Sequence, residues 1–533
     1  MVALMRKAAD LGFMSIEIPE EYGGMGMDKI TSTLIIDQLS ALASFSTAMG
    51  AHVGIGTLPL VWYGTEDQKQ RYLPKLATCE WIAAYALSEA SSGSDAMNIR
   101  TRATLSADGA HYTLNGEKHW ITNGGTASLF TIFAKIDGEK FSAFLVERDT
   151  PGLSVGAEEH KLGIRGSSTC PIVLQDCKVP AGNLLGEAGK GHHIAFNVLN
   201  IGRFKLSVAC VGGARHALAH MIRYAKERRA FGKSISELGL IQRKISASAT
   251  QLFAAESMVY RTVGMIEASL NELDGLGTKS QQETQKRIEE YAVECSILKV
   301  YASEMLSLVT DELVATMGGY GFVEDYPAER LYRDARINRI FEGTNEINRL
   351  IITGWMMKRA MNGQLPLLKA IKQVMDEITE PPSFDGGSDM SEVLGRESAI
   401  LASARKITLF AAGVASQRFN TGLQDQQEIM ADLADMIAQV YVLESALLRA
   451  RKIAEARRSS AEVAVAMTAL LAEETMALAE QATRRVLAAC AEGDMLRTQL
   501  AILRRLARST PADTVELSRT VARHCIQAEK YPF

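Results

Sequence analysis

Apolar residues near the start of the chain recur at three- and four-residue spacings, as in Leu34, Ile35, Leu39 and Leu42. This is the period of a helix with one buried face. The run Ile18-Pro19-Glu20-Glu21-Tyr22-Gly23-Gly24 interrupts that pattern, so residues 1–83 read as helix, turn, helix. From 84 to 190 the period shortens towards two, in Tyr112-Thr113-Leu114, Leu129-Phe130-Thr131-Ile132-Phe133-Ala134 and Phe141-Ser142-Ala143-Phe144-Leu145-Val146. Turn residues separate these runs, which predicts a middle β domain, a barrel or sandwich. Residues 191–362 return to long amphipathic patterns, among them Ile241, Ile245, Ala249, Leu252 and Phe253, and Ala292, Ile297, Leu298, Tyr301 and Met305. They predict a helical bundle. A linker over 363–390 contains the breaking run Pro381-Pro382-Ser383-Phe384-Asp385-Gly386-Gly387. Residues 391–533, rich in Ala, Leu, Glu and Arg, then predict a C-terminal helical domain. The expected class is α+β, mainly α.

Composition narrows the functions available. At 533 residues the chain is long enough for several domains. Its 58 basic and 62 acidic residues leave a net charge of −4, with no basic field to hold a nucleic acid. Only six of the 42 glycines lie beyond Gly363, so turns and ligand loops belong to the first two thirds. The seven cysteines include no CxxC and no His/Cys spacing suited to zinc, so no metal site is expected and a reducing cytoplasm suits them. No apolar run reaches the ~18 residues of a spanning helix, and the first residues have a helical period instead of the pattern of a targeting peptide. A cytoplasmic location is expected.

The chain lacks GxGxxG between strand and helix, GxxxxGK[ST], HExxH and GxSxG. It has instead five clusters of small and polar residues. Ser88-Glu89-Ala90-Ser91-Ser92-Gly93-Ser94-Asp95 gathers hydroxyls and free N–H groups of the kind that cradle phosphate or a cofactor's rim. Trp120-Ile121-Thr122-Asn123-Gly124-Gly125 would place an aromatic ring and a hydroxyl on one side of a strand. Arg228-Arg229-Ala230-Phe231-Gly232 offers a guanidinium for a phosphate. Gly318-Gly319 would let the backbone approach a ligand, and Glu342, between Phe341 and Gly343, would be a carboxylate in an apolar pocket. Taken singly, each reads more readily as a turn, a cap or a solvated charge than as a site.

Their order and spacing, with the segments YALSEASSGSD, WITNGG and RDARINRIFEGTNEINRL, resemble the acyl-CoA dehydrogenase family from about Leu11 to Gly354. The extra C-terminal helices, Leu238-Gly239-Leu240-Ile241-Gln242 and Asn200-Ile201-Gly202-Arg203-Phe204 resemble its very-long-chain branch. The resemblance implies FAD as cofactor, fatty acyl-CoA as substrate, an electron-transfer flavoprotein as acceptor and a homodimer. It places Tyr85, Ala86, Leu87, Ser88, Ser94, Trp120, Ile121 and Thr122 along the flavin. Ser88 and Thr122 would hydrogen-bond the ring, and Trp120 would pack beside it. Arg228 and Phe231 would hold FAD of the adjoining subunit, Gly318 and Gly319 would approach its adenosine half, and Thr344 and Asn345 would lie near it. Ser94, Asn200, Arg203 and Gly343 would contact the substrate. Gly239 and Ala315 stand where many relatives carry Gln, so two side-chain contacts to FAD must be replaced by backbone or water. The family also has one or two helices ahead of Leu11-Gly12-Phe13, where this sequence has ten residues, so a late start or a trimmed helical domain is expected.

The implied reaction forms a 2,3-double bond: a base removes the α-proton while a hydride leaves the β-carbon, so base and acceptor face each other across the acyl chain. A backbone N–H and a ribityl hydroxyl would stabilise the thioester oxygen, and an apolar site would weaken the solvation of Glu342 and make it a stronger base. Relatives that place the base just before the equivalent of Arg203 have a carboxylate where this chain has Gly202, so Glu342 is the base expected here. Two other readings are an acyl-CoA oxidase that uses O₂ and a non-catalytic scaffold on the same fold. The small residues Gly50, Ala51, Gly54 and Gly56 would floor a long acyl pocket or serve close helix packing. Leu367, Leu368, Ile371, Val374, Met375 and Ile378 share one helical face. That face reads as docked on its own protein, with peripheral contact to the inner face of a membrane as the second reading.

Overall fold

The computed structural model describes residues 1–275, 281–379 and 392–533. The first helices are α1 (Val2–Asp10), α2 (Lys29–Leu39), α3 (Ala43–Gly50), α4 (Leu58–Tyr63) and α5 (Glu66–Ala77). Asp28 and Thr65 cap α2 and α5, each accepting a backbone N–H in the first turn. Between α3 and α4 the chain does not stop but widens into a π-helical segment, Ala51–Gly56. Such widenings push residues out of the regular helical register and are frequent at functional sites.

Eight strands follow: β1 (Ala83–Ala86), β2 (Arg102–Leu105), β3 (His111–Thr122), β4 (Leu129–Ile136), β5 (Lys140–Glu147), β6 (Leu153–Val155), β7 (Thr169–Pro180) and β8 (Leu184–Leu185). They form one sheet in the order β6-β7-β3-β2-β4-β5-β8, with β1 added parallel to β4. The alternation has a consequence the sequence alone left open, because both faces are apolar. Phe130, Ile132, Phe144, Leu114 and Ile172 meet in a core drawn from the β domain itself. Phe133, Phe141 and Leu145 face Tyr72, Leu73 and Leu76 of α5. This accounts for the continuous burial of β4 from Leu129 to Ala134.

Among the described residues that remain, the regular structure is helical apart from a hairpin of β9 (Arg229–Ala230) and β10 (Lys233–Ser234). Its helices are α6 (Gly191–Glu227), α7 (Gly239–Gly275), α8 (Gln281–Glu290), α9 (Ala292–Met317), α10 (Gly319–Phe322), α11 (Pro327–Ala335), α12 (Asn345–Met361) and α13 (Leu367–Thr379). After these come α14 (Gly395–Phe419), α15 (Gln427–Glu455), α16 (Ala461–Cys490), α17 (Gly493–Leu506) and α18 (Thr514–Ala528). The chain divides into two compact units. One comprises Met1–Gly213, Thr262–Cys295 and Arg330–Thr344, and the other Ala214–Arg261, Ser296–Glu329 and Asn345–Phe533.

In the second unit, Arg349 of α12 joins Glu304 of α9 to Asp435 of α15, through hydrogen bonds of 3.0 and 2.7 Å. The Arg449 guanidinium of α15 lies over the rings of Phe253 and Phe533, whose centroids are themselves 5.0 Å apart, and pairs with Glu256, which also accepts the Tyr531 hydroxyl at 2.7 Å. A Cβ built on Gly413 of α14 would lie 2.8 Å from Ile371, and Val374 is buried. Ile371 and Val374 of α13 therefore pack towards α14, in keeping with the docked reading of this helix, while Leu368 on the same face is exposed. The side chain of Ile378 and the Pro381–Gly387 break lie outside the described residues. Among the described residues two segments, one in α6 and one beginning with α14, are apolar enough over 18 residues to cross a membrane, although neither is an unbroken apolar run. In α6, 78% of that window is buried, so its apolarity is spent on packing.

Candidate functional site

Gly202, Lys205, Leu206 and Ala209 recur on one face of α6 and border a cavity in the first unit. Gly50 at the end of α3, Ala51 and Ile55 of the π-helical stretch, Thr122 at the end of β3, and Phe341 and Glu342 complete the part of its lining that matters for chemistry. Glu342 sits in a reverse turn with φ +58°, followed by Gly343 at +81°. A side chain in this left-handed region costs about 1–3 kcal/mol unless its surroundings enforce it. The enforcing group is Arg203, whose Nε donates to the Glu342 carbonyl at 3.1 Å and whose Nη1 donates to Asn200 Oδ1 at 3.0 Å.

The carboxylate points at α6. A Cβ on Gly202 would lie 2.5 Å from Glu342 Oε2 and 3.0 Å from its Cδ, so the acid occupies the space a side chain at 202 would need. Tyr85 and Arg203 both feel its charge. Burial first, then Glu342, drive the Tyr85 hydroxyl well above its usual range, with Arg203 opposing. Burial lowers the pKa of Arg203, and Glu342 opposes that. Asn200 and Arg203, expected to contact substrate, are both buried; their side chains hydrogen-bond each other, and Arg203 also reaches the Glu342 backbone.

Two buried polar devices that leave no local pattern in the sequence hold the π-helical segment and the Ser88–Asp95 loop. His52, in the π-helical segment, accepts the Ala83 N–H at Nδ1 over 3.0 Å, and its Nε2 lies 3.1 Å from the Leu76 carbonyl. With Nδ1 accepting, the proton sits on Nε2. Burial pushes this imidazole down to about 4, against the Leu76 hydrogen bond. The second device is the Lys118–Glu89 ion pair at 2.7 Å, with Lys118 fully buried. Glu89 also accepts from Arg100 N at 2.6 Å and from Thr101 N at 3.0 Å, while Lys118 Nζ donates to the Leu87 carbonyl at 3.1 Å. Burial brings Lys118 down to about 8, with Glu89 opposing. The pair pins the loop that carries Ser88, half-buried, and Ser94, exposed. The signal was present, since Glu89 lies inside the serine-rich cluster and Lys118 two residues before Trp120, but the pairing joins positions 29 apart.

Simple alternation does not place Trp120. A register shift between Lys118 and Ile121 and a φ of +57° at Trp120 turn the indole outward, 57% exposed, while Ile121 enters the β core and Thr122 reaches the cavity. The bulge re-aims the strand. Tyr85, Ala86, Leu87 and Ile121, expected to line a cofactor, have side chains that belong to the two buried clusters around the β domain.

In the second unit, Arg228, Gly318 and Gly319 do come together. With Tyr224, Thr316 and Tyr320 they border a cavity of about 550 Å³. Gly318 has φ +60° and ψ −132°, which only glycine adopts readily, and a Cβ at Gly319 would meet nothing within 4 Å. The Arg228 guanidinium lies 5.8 Å from the Tyr320 ring centroid. Phe231 and Gly232, with φ +52° and +76°, form the tip of the β9–β10 hairpin and leave the Phe231 ring 89% exposed. Asn345 makes its hydrogen bonds within the protein. It is buried, accepts from Lys299 Nζ at 2.7 Å and donates to Ser303 and Glu304 at 3.1 and 3.0 Å, so it ties α12 to α9. Thr344 and Gly343 are half-buried beside it in sequence.

Known families match along the chain in the order of these elements. The models are acyl-CoA dehydrogenase N-terminal domain (residues 2–80), middle domain (84–177), and two described as C-terminal domain (189–357 and 403–505). A probable acyl-CoA dehydrogenase of Bacillus subtilis is 47% identical over 531 residues, 99% of this chain and 89% of that protein. The human very long-chain specific acyl-CoA dehydrogenase, mitochondrial, is 34% identical over 83% of this chain and 69% of its own length. A crystal structure of an acyl-CoA dehydrogenase complexed with FAD from Bacillus anthracis, 46% identical, superposes with a TM-score of 0.96 over 99% of this chain and 90% of that one.

Proposed function

The chain belongs to the acyl-CoA dehydrogenase family, and from that premise we propose that it forms the 2,3-double bond of long-chain fatty acyl-CoA thioesters, with Glu342 as base. It is an FAD-dependent oxidoreductase. When bound, FAD supplies the acceptor for the hydride that leaves the β-carbon. The residues fit that cofactor: Trp120 offers an exposed indole and Thr122 a hydroxyl at the cavity, and Gly318, Gly319 and Arg228 edge an open cradle that suits a diphosphate and adenosine.

One observation carries the reading: Glu342 and Thr122 border the same cavity, so a base and a residue that would hold the flavin share one space. Glu342 takes the α-proton onto its carboxylate. Arg203 acts as a positioning residue, holding the turn that aims the acid, and Gly202 leaves the acid its room. Phe341 and Ile55 give the cavity apolar walls that exclude water, which strengthens every electrostatic interaction within it. Long-chain preference is supported by Gly50, where the wall carries no side chain and a built Cβ meets nothing within 4 Å, and by the likeness to the human very long-chain enzyme. Electron transfer to an electron-transfer flavoprotein and a homodimeric state complete the proposal, the latter supported by the exposed Phe231.

The test is spectroscopic. Palmitoyl-CoA added without oxygen should bleach the flavin of the purified protein, and an electron-transfer flavoprotein should restore its colour faster than O₂ does. A flavin that keeps its colour refutes the enzyme reading, and rapid peroxide formation would make the protein an oxidase.

A further inference from the structure

Lys205 borders the cavity one turn beyond Gly202 on α6. Its side chain is one of those that line the cavity, and its stem packs against the π-helical segment, where a Cβ on Gly54 would stand 3.6 Å from Lys205 Cδ. Its ammonium is turned aside to Glu17, with Nζ 2.6 Å from Oε1 and the two side chains 7% and 5% exposed. Glu17 also pairs with Lys29 and accepts the Ser32 hydroxyl at 2.6 Å. One buried carboxylate therefore answers two ammonium groups. Burial alone would raise its pKa, but Lys205 and Lys29 outweigh burial and hold it far below the usual carboxylate range. Burial lowers the pKa of Lys205, and Glu17 opposes that.

An ammonium buried without a partner is strongly unfavourable, and a lysine stem has enough rotatable bonds to relocate its charge. The space Lys205 already borders is the cavity. We propose that Glu17 is a positioning residue for chain-length selection: by holding the Lys205 ammonium aside, it keeps methylene groups on the wall that meets the acyl chain. The inference rests on the acyl-CoA reading of this cavity. Without the carboxylate, Nζ turns inward and sets a charge where the methylenes of a long chain would lie, while a short acyl group ends before it.

The FAD-loaded full-length protein tests this through kcat/KM for butyryl-, octanoyl- and palmitoyl-CoA. Glu17→Gln should lower the palmitoyl-to-butyryl ratio about tenfold, mainly through KM for the long substrate, in line with what pocket contacts contribute to discrimination. Glu17→Gln/Lys205→Met, which removes the displaced charge, should restore the ratio to within about threefold of wild type. A merely structural role would depress all three substrates alike and would not be rescued. An unchanged ratio in Glu17→Gln, or one that the second substitution does not restore, overturns the proposal. Should Glu17→Gln fail to retain FAD, Glu17→Asp keeps the charge but withdraws it by one methylene. That variant should shift the ratio the same way by about threefold, and an unmoved ratio is again contrary. Wild type inactive on all three thioesters would overturn the acyl-CoA reading itself, whereas activity with an unmoved ratio overturns only the role of Glu17.

Discussion

The carboxylate of Glu342 lies where a side chain on Gly202 would be: a Cβ there would come within 2.5 Å of Oε2. The two positions at which a base was considered in the sequence, 140 residues apart, are thus one place in space, and only one of them can hold an acid. The relationship also explains why the residue ahead of Arg203 has no side chain.

Gly202→Ala should therefore displace Glu342 while adding a good helix former to α6. We expect kcat to fall about 10²-fold, the usual cost of a misplaced catalytic group, with flavin content retained. Steady-state kinetics with palmitoyl-CoA checks this, and near-normal turnover would mean that the turn carrying Glu342 yields easily.

The glycines expected to floor the acyl pocket divide into two kinds. Gly50 faces open space, whereas a Cβ on Gly56 would lie 2.7 Å from the Ala51 carbonyl and 2.8 Å from Ala83. Gly50→Leu should move the preferred substrate from palmitoyl- towards octanoyl-CoA with little change in stability. Gly56→Ala should destabilise by about 1–3 kcal/mol, the usual cost of overpacking. Chain-length profiles and chemical denaturation separate the two, and an unmoved profile in Gly50→Leu would remove Gly50 from the pocket.

His52 makes stability depend on pH. Its folded value of about 4 lies below the ordinary 6.5, so between those values the unfolded chain binds more protons and stability falls as pH falls. The full effect is about 3 kcal/mol, present above pH ~6.5 and lost by pH ~4. Denaturation in urea over that range should show the slope in wild type and a shallower one in His52→Gln. Equal slopes would contradict this account of the imidazole.

Much of the architecture was legible because periodicity reports burial. The β4 and β5 runs read as strands, and Leu367–Thr379 reads as a helix with one apolar face. What periodicity cannot report is which surface covers a face, and so the docking of Ile371 near Gly413 had to come from the structure. The site was legible as motifs, while the contacts those residues make within the protein were not. Asn345 and Arg203 belong to the right segments, yet both hold other parts of the protein. The outward turn of Trp120 depends on a bulge set by pairing with β7, and the Glu17–Lys205 pair joins residues far apart in sequence. Such long-range pairings leave no local pattern.

The exposed Phe231, at the tip of a hairpin whose conformation requires positive φ at both turn residues, should lie in a subunit interface. Light scattering of the FAD-loaded protein should give a dimer, and Phe231→Ser should weaken both the dimer and FAD retention. A stable FAD-loaded monomer would contradict this.

The central claim is that Glu342 is the base, and rapid mixing of the FAD-loaded protein with palmitoyl-CoA in the absence of oxygen tests it most directly. Glu342→Gln removes the base with little change of volume. Wild type should bleach rapidly, while the variant should still perturb the flavin spectrum on binding yet bleach at least about 10²-fold more slowly. Bleaching of the variant within about tenfold of the wild-type rate would contradict the assignment.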